Sequence, residues 1–446
     1  MAYRSASMTR ISSIPASIGG LLVLLGLAHS IVTKASDWPQ WRGPGRDGVW
    51  REGGLVTEFA SRQLPAEWSA PVGAGYSGPT IANGRVYLTS YLSEPKQVEQ
   101  VHCVDQATGE EIWKYVYDCE YMDIGYPLGP RAAVAISDGR AYSLGTMGHM
   151  HCLDAVTGEV IWKKNFEEDY NAAIPGWGVT ASPLVDDERV YVQVGGQPDA
   201  VVMAFDKNTG EEVWRSLDGG ASYSAPKFIK HNGKRLALVW TADWFAALEP
   251  TTGDPVWKRP FDRAKMPINV ADPVVDEATS KIFLTSFYDG SYLYKMDTEK
   301  MDVDLLWKRK GRSEIHTDAL HSTIMTSVII GDYVYGLDSY GVMRCLDLKN
   351  GDRVWEDQSL VEEGRWATAF FVQNGDQTWM FTEKGELVIG QLSHKGFKSI
   401  SRTKLIEPTT FLPRRNDNIL WSHPAYADRH IFVRNDKQLI SVDLSR

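Results

Sequence analysis

The chain has 446 residues, with 57 acidic against 47 basic side chains and a net charge of −10. A hydrophobic fraction of 43% and a charged fraction of 23% are typical of globular proteins and exclude a disordered or fibrous chain. The negative charge provides no basic stripe that would follow a phosphate backbone, so we expect no nucleic-acid partner.

The first 35 residues have the order of a secretory signal peptide. Arg4 and Arg10 precede an apolar run from Ile18 to Ala28, which is too short to span a bilayer comfortably. The alternative is an uncleaved N-terminal anchor. No later segment reaches transmembrane length, so we expect a chain without a membrane span that is exported to the periplasm or the extracellular space.

Residues 36–62 are predicted to form an extended N-terminal segment. The segment is rich in aromatic and guanidinium groups, namely Trp38, Trp41, Arg42, Arg46, Trp50 and Arg51. It would serve either as an interaction surface or as a cover over one face of the following domain, with its tryptophans buried and its arginines paired. We favour the second interpretation.

A repeat of roughly 50 residues organises the remaining chain. In each copy an acidic residue, a Thr-Gly or similar pair and a Trp recur in order, as in Asp105-Gln-Ala-Thr-Gly-Glu-Glu-Ile-Trp113. The copies end at Trp113, Trp162, Trp214, Trp257, Trp307 and Trp355. The acidic residue opens a turn and the glycine takes a positive φ, so each copy predicts a strand, a tight turn and a second strand.

A second pair of strand signals precedes most copies, such as Gly84-Arg85-Val86-Tyr87-Leu88. Four-stranded units arranged radially define a β-propeller. The Trp that ends each copy is large enough to cover the seam between neighbouring sheets. We therefore predict an all-β propeller over residues 63–446.

The number of blades follows from the degenerate first and last copies. Gly396 and Ile400 hold the positions of the turn glycine and the Trp in a seventh copy. The final strands lack a Trp-bearing partner, and the segment from Leu64 to Trp68 supplies one. Pairing the two ends closes the ring and removes the open sheet edges. We predict eight four-stranded antiparallel blades rather than seven with an unpaired terminus.

These tryptophan-docking motifs resemble those of the PQQ-binding-like β-propeller repeat family, which belongs to the quinoprotein (pyrroloquinoline quinone, PQQ) alcohol dehydrogenase-like superfamily. The opening Asp37-Trp-Pro-Gln-Trp-Arg-Gly-Pro-Gly-Arg-Asp-Gly48 resembles the start of many exported members. The resemblance covers residues 37–446 and implies the propeller fold. It is also a resemblance to outer-membrane protein assembly factor B, which holds protein partners. The repeat itself builds blades and contacts no substrate, so it does not define an activity.

The axial channel is the expected place for a site, because the segments before the innermost strands converge there. These segments carry the candidate binding residues Tyr126, Arg131, Trp177, Tyr223, Asn269, His321, Trp366 and His423, and one candidate catalytic residue, Asp272. Large rings with a few directed polar groups suit a flat or sugar-like ligand. The alternative is that these side chains only fill and hydrate the channel mouth.

Resemblance to the quinone-dependent dehydrogenases implies a quinone held between a Trp and a disulfide of adjacent cysteines, beside a calcium ion, with an Asp as base. If a quinone binds, Trp177 would stack on it and Arg131 would pair with its carboxylate. Asp272 with Asn269 would supply calcium oxygens or the base. No Cys-x-x-Cys-His motif attaches a haem, so a separate protein would have to accept the electrons.

The cysteines do not support that arrangement. None is adjacent to another, and the four are Cys103, Cys119, Cys152 and Cys345. Cys103 with Cys119 is the only candidate for a disulfide. His149 and His151 lie on one face of a predicted strand, but their place in the repeat favours a structural role over a metal site, and we predict no metal ligands.

The sequence thus predicts an exported binding or scaffolding module that acts as a monomer without a required cofactor. A protein or a glycan is the expected partner. The alternative is an enzyme, a PQQ-dependent dehydrogenase that uses PQQ with Ca²⁺ to oxidise an alcohol or a sugar.

Overall fold

The computed structural model describes residues 37–263 and 265–446. In this part of the chain the strands form eight four-stranded antiparallel sheets, and the one α-helix has five residues. The predicted all-β, eight-bladed propeller is confirmed. The predicted signal peptide, residues 1–35, lies outside the described residues.

Strands pair in chain order within each blade, so the first strand of a blade is the innermost. Blade 1 contains β2 (Thr80–Ala82), β3 (Arg85–Leu92), β4 (Val98–Asp105) and β5 (Glu111–Asp118). Blade 2 contains β6 (Ala135–Ser137), β7 (Arg140–Leu144), β8 (His149–Asp154) and β9 (Val160–Asn165), followed by helix α1 (Phe166–Tyr170). Blade 3 contains β10 (Leu184–Val185), β11 (Arg189–Gly196), β12 (Ala200–Asp206) and β13 (Glu212–Ser216). Blade 4 contains β14 (Lys227–His231), β15 (Lys234–Trp240), β16 (Trp244–Leu248) and β17 (Pro255–Pro260).

The second half of the ring repeats this order. Blade 5 contains β18 (Val274–Asp276), β19 (Lys281–Ser286), β20 (Gly290–Met296) and β21 (Val303–Arg309). Blade 6 contains β22 (Val328–Ile330), β23 (Tyr333–Leu337), β24 (Met343–Asp347) and β25 (Arg353–Asp357). Blade 7 contains β26 (Ala369–Asn374), β27 (Gln377–Thr382), β28 (Glu386–Ser393) and β29 (Gly396–Lys404). A hairpin of β30 (Thr410–Leu412) and β31 (Asp417–Ile419) precedes β32 (Ala425–Ala427), β33 (His430–Arg434) and β34 (Gln438–Asp443) of blade 8.

The ring closes through the strand predicted to close it. β1 (Trp68–Pro71) pairs antiparallel with β34, with Trp68 opposite Ser441 and Pro71 opposite Gln438. Blade 8 is therefore built from both ends of the propeller, and β1 covers the edge that β34 would otherwise expose.

The repeat tryptophans pack between blades. The Trp113 indole N–H donates to the Ala155 carbonyl of the next blade at 3.1 Å, and Trp162 donates to the Lys207 carbonyl at 3.0 Å. The Trp113 ring also covers Gly158, where an added Cβ would lie 2.7 Å from a ring carbon. Gly158 has a φ of 77°. Its turn and the neighbouring Trp therefore both require glycine.

The seam between blades 4 and 5 departs from this pattern. The turn of blade 5, from Asp297 to Asp302, has no glycine. The buried indole N–H of Trp257 has no hydrogen-bond partner within the described residues. Its ring packs edge-on against Phe245 at 5.2 Å. This seam therefore keeps its apolar packing without the hydrogen bond that Trp113 and its counterparts make.

The N-terminal segment contacts blades 1 and 7 and passes over the channel between them. Trp38 forms a backbone bridge with Ile81, and Val49 forms one with Gln373. Trp38 is 2% exposed and Trp50 is 1% exposed. Between these two anchors, Trp41 reaches the axial cavity.

All four cysteines are buried and free. The candidate disulfide between Cys103 and Cys119 is therefore wrong. Burial raises the pKa of the Cys103 thiol to about 12, so this side chain behaves as a small apolar group.

Candidate functional site

The segments before the innermost strands surround one cavity of about 140 Å³ in the axial channel. Its aromatic lining consists of Trp41, Tyr76, Tyr126, Trp177, Tyr223, Trp366, Phe370 and Trp421. Its polar lining consists of Arg131, Thr180, Ser182, Asp272, Thr323 and His423. The cavity brings together all the predicted site residues except Asn269 and His321.

Trp177 lies at the centre of the aromatic lining. Its ring stacks on Tyr223, with centroids 5.4 Å apart, and meets Trp366 edge-on at 5.5 Å. Tyr126 meets Trp177 and Trp421 edge-on, at 5.9 and 5.3 Å. These rings provide flat apolar walls against which a ring-shaped ligand can pack.

Two of the lining residues have a strained backbone. Tyr126 has a φ of 56° and Trp366 a φ of 70°, in the left-handed region that bulky side chains rarely adopt. The Trp366 indole N–H donates to the Tyr126 hydroxyl at 2.9 Å. The two residues come from loops 240 positions apart, so their surroundings hold both loops against a conformational cost of roughly 1–3 kcal/mol per residue.

Arg131 is held mainly by backbone carbonyls. Its two terminal nitrogens donate to the carbonyls of Gly129, Gly125 and Tyr126, and more weakly to the Thr146 hydroxyl. The guanidinium carbon lies 5.1 Å from the centre of the Tyr76 ring. Burial lowers the pKa of this group from its usual value. Arg131 thus shapes the loop that carries Tyr126 and leaves a cation beside the cavity.

Asp272 lies at the inner end of the cavity and is already engaged. One carboxylate oxygen accepts the Trp41 indole N–H at 2.5 Å, and the other accepts the Ala225 backbone N–H at 2.9 Å. The Ser224 hydroxyl is 3.4 Å from the same second oxygen. Trp41 therefore closes this end of the channel by binding the residue that the sequence singled out as a base.

Three cations surround this closed end. Arg46 is 4% exposed and donates to the carbonyls of Ser182, Pro183 and Pro226. Burial lowers the pKa of Arg46 to about 10 and, together with repulsion from Arg42, lowers that of Lys227 to about 8. Asp272 attracts all three cations and so offsets part of the cost of burying them.

Two polar atoms at the cavity lack partners within the described residues. They are Nε2 of His423 and the indole N–H of Trp421. Burial lowers the pKa of His423 to about 4, so its ring is neutral near pH 7. Its Nδ1 faces the Pro424 carbonyl at 3.3 Å, which accepts only, so Nδ1 carries the proton. Nε2 is then an unused acceptor and the Trp421 N–H an unused donor.

Asn269 and His321 are buried in the ring and do not line the cavity. Asn269 donates its amide to the Thr241 carbonyl at 3.1 Å, and Nδ1 of His321 lies 2.7 Å from the Phe287 carbonyl. Both side chains therefore connect neighbouring loops. Asn269 is not placed beside Asp272 at the cavity as a shared calcium site would require.

The cavity opens into a wider mouth that shares Tyr126, Trp177, Trp366 and Trp421 with it. The rim adds Arg365, Arg414, Met266 and Phe411 among others. The Arg365 guanidinium lies 4.7 Å from the centre of the Trp366 ring. Phe411, on the hairpin of β30 and β31, is 55% exposed, and Met266 is 46% exposed. The mouth therefore combines cations with exposed apolar side chains.

Sequence reasoning missed several of these residues. The sequence predicts a covering role for the segment that contains Trp41 and gives no position of Trp41 in the channel, although the aromatic cluster before the first blade is a signal for such a contact. Arg414 lies in the hairpin of β30 and β31, and no repeat position marks it, whereas Arg365 belongs to a segment before an innermost strand, which the sequence places at the channel. Phe370 lies inside β26 and carries no signal of its own.

No cluster of three or more His, Cys, Asp or Glu side chains in residues 37–263 and 265–446 is arranged to hold a metal ion. Within the same ranges, no helix has the length and apolar character needed to cross a membrane.

Fold and cavity define a β-propeller with an aromatic axial cavity. The family model for outer membrane protein assembly factor BamB matches residues 97–357, and the chain belongs to that family. The resemblance inferred from the repeats is thereby confirmed.

Solved structures share the fold at low sequence identity. BamB from Moraxella catarrhalis is 16% identical with a TM-score of 0.59, over 85% of this chain and 99% of that one. The computationally designed Ika8 protein is 11% identical with a TM-score of 0.54, over 86% and 100%. A europium-containing methanol dehydrogenase is 14% identical with a TM-score of 0.48, over 89% of both chains. A comparison with curated proteins gave no significant match.

Proposed function

We propose that this protein is a non-enzymatic binding module that acts after export, in the periplasm or outside the cell, and holds its ligand in the aromatic axial cavity. The observation that carries the proposal is the strained contact between Tyr126 and Trp366. Side chains that only filled a channel would not need two bulky residues in the left-handed region. A role in ligand binding explains why the chain keeps this backbone strain at Tyr126 and Trp366.

The geometry favours binding over quinone-dependent oxidation. Both oxygens of Asp272 accept hydrogen bonds, one of them from the Trp41 indole that closes this end of the channel, so the carboxylate is held by the protein rather than turned toward a substrate. Both terminal nitrogens of Arg131 donate within its own loop, which leaves little for a quinone carboxylate. Asn269 lies away from the cavity. These residues do not fit the set that PQQ and Ca²⁺ would need.

The family supports a partner that is not a small substrate. The matching model is named for an outer membrane protein assembly factor, which supports an exported location and a protein partner. A glycan partner is supported instead by the flat aromatic walls of the cavity. The exposed Phe411 and Met266 at the rim suit a ligand presented from outside.

The test compares binding with oxidation on the chain from Ser36 to Arg446. Titration of oligosaccharides and aromatic peptides should change the intrinsic fluorescence, because Trp177 and Trp366 line the cavity. Trp366→Ala should abolish this fluorescence change. Trp355→Ala changes a blade seam instead, so the molecules of this variant that fold should still show the fluorescence change. Calorimetry with PQQ and calcium chloride should give no heat at micromolar concentrations. Tight PQQ binding with dye-linked alcohol oxidation would overturn the proposal.

A further inference from the structure

Three guanidinium groups surround the cavity and its mouth without an ion-pair partner in the described part of the chain. Arg131 lies beside the inner cavity, and Arg365 and Arg414 lie at the rim. Nε of Arg365 is buried and has no hydrogen-bond partner among the described residues. In a chain with a net charge of −10, this clustering of unpaired cations at one place favours an anionic ligand.

Acidic side chains do not cancel this charge. Asp272 is the only carboxylate that lines the cavity or the mouth as the structure describes them, and it interacts with Arg42, Arg46 and Lys227. Glu99 is fully buried outside the cavity and accepts hydrogen bonds from the hydroxyl of Tyr117 and the backbone N–H of Thr146. Arg365 and Arg414 at the rim are therefore free to attract a negative group from solution, whereas Arg131 donates to its own loop and adds only its charge.

The two unpartnered atoms inside the cavity add a second requirement. His423 is 6% exposed, and its Nε2 is an acceptor that an O–H or N–H donor of a ligand satisfies. The Trp421 N–H needs an acceptor. A carboxylate satisfies the rim arginines, Arg365 and Arg414, and Trp421, but it cannot donate to His423. The ligand must therefore carry hydroxyl or amide donors as well as negative charge.

We propose that the cavity binds an acidic sugar, that is, a pyranose ring with hydroxyl groups and a carboxylate, as part of an oligosaccharide. This inference rests on the proposed binding function and names its ligand class. The apolar C–H face of the ring packs on Trp177 and Trp366, a hydroxyl pairs with His423 and Trp421, and the carboxylate lies at the arginine-rich mouth.

An acidic peptide fits less well. Its carboxylates would match Arg365 and Arg414 and its backbone N–H groups would match His423, but aspartate and glutamate side chains present no flat ring for Trp177. A sugar acid carries the ring, the hydroxyl groups and the carboxylate for these contacts within one monosaccharide unit.

The experiment measures the affinity of the Ser36 to Arg446 chain for trigalacturonic acid and for its fully methyl-esterified form, which has the same rings without the charge. We expect the acid to bind about tenfold or more tightly than the ester. The double variant Arg365→Gln/Arg414→Gln should remove that preference, so that the acid and the ester bind with equal affinity. Arg312 is an exposed arginine outside the cavity and its mouth, so Arg312→Gln is the matched control and should change neither the affinity for the acid nor that for the ester.

The outcomes separate this inference from the proposed function. Equal affinity for acid and ester, lost in Trp366→Ala, would overturn the acidic-sugar assignment and keep the binding module. Failure of both sugars to bind would overturn the assignment, and so would preferential binding of hexaglutamate. Preference for the acid that survives in the double arginine variant would also overturn it. PQQ binding with turnover would overturn both proposals.

Discussion

Tryptophan has two different uses in this molecule, one at the blade seams and one at the channel. At the seams, Trp113 and Trp162 each pack on the next blade and donate their N–H groups to its backbone. At the channel, Trp366 sits at a φ of 70° and Trp421 keeps an unpaired N–H. Trp113 and Trp162 therefore have paired N–H groups, whereas the channel tryptophans carry a strained backbone or an unpaired donor.

The difference separates what builds the fold from what the fold presents. Seam tryptophans recur because each blade needs the same contact, so their loss should cost stability and leave the cavity intact. Channel tryptophans line the cavity and hold no seam between blades, so their loss should cost binding more than stability. Four predictions would break or sharpen this comparison.

Trp162→Ala should have the largest effect on stability. The change removes a ring that is 8% exposed and its hydrogen bond to Lys207. We expect a loss of about 3–5 kcal/mol in the free energy of unfolding. Urea denaturation followed by far-ultraviolet circular dichroism would measure it. A loss below about 1 kcal/mol would contradict the seam role.

Gly158→Ala should cost about 3 kcal/mol, because it adds backbone strain at a φ of 77° and a methyl group 2.7 Å from the Trp113 ring. Gly139→Ala is the matched control. Gly139 has a φ of 75°, but an added Cβ there meets no atom within 4 Å, so only the backbone cost of about 1–2 kcal/mol applies. Equal losses in the two variants would show that the Trp113 contact contributes nothing.

Trp366→Gly should cost less stability than Trp162→Ala, at about 1–2 kcal/mol, because relief of the strained φ offsets part of the lost packing. Ligand binding should nevertheless be lost. Thermal denaturation and the fluorescence titration would measure the two effects. A larger stability loss than that of Trp162→Ala would mean that the channel ring is a structural element of the same kind as the seam rings.

Acidification should destabilise the protein between pH 6.5 and pH 4. Burial lowers the pKa of His423 to about 4 and that of His151 to about 3, against an ordinary value of 6.5. Below pH 6.5 these two histidines therefore bind protons in the unfolded chain but stay neutral in the folded chain. The free energy of unfolding is thus highest above pH 6.5 and falls as the pH drops. Each residue contributes up to about 1.4 kcal/mol per pH unit in that window.

The histidines extend the comparison to a second residue type. His151→Gln and His423→Gln should each make the dependence of the unfolding free energy on pH less steep. His423→Gln should also weaken ligand binding, whereas His151→Gln, in β8, should not. A pH slope unchanged in both variants would contradict the neutral, buried state of these rings.

The fold was predictable because its information is repeated. Each copy of the acidic residue, glycine and Trp encodes a turn and a seam, and the Trp68 strand left only one way to close the ring. The cavity was predictable in outline, since the position before each innermost strand places Trp177 and Trp366 near the axis. Neither the left-handed backbone of Trp366 nor the engagement of Asp272 by Trp41 could be predicted, because both depend on contacts between distant segments.

The same limit explains the two misplaced candidates. Asn269 and His321 stand before innermost strands like the others, but their loops turn them toward the Thr241 and Phe287 carbonyls. The direction of a side chain in a loop depends on which neighbouring carbonyls need a donor. The repeat period of the sequence does not show which carbonyls these are.

The pairing of β1 with β34 also has a consequence for the order of assembly. Trp68 and Ser441 pair with each other although they lie near opposite ends of the propeller sequence. β1 can therefore form its sheet contacts only after β34 has been synthesised. Until then a growing chain carries an open sheet edge at each end of an incomplete ring. Contacts of such long sequence separation slow folding and prolong exposure to aggregation. Ring closure should therefore be the late, rate-limiting step by which this protein matures.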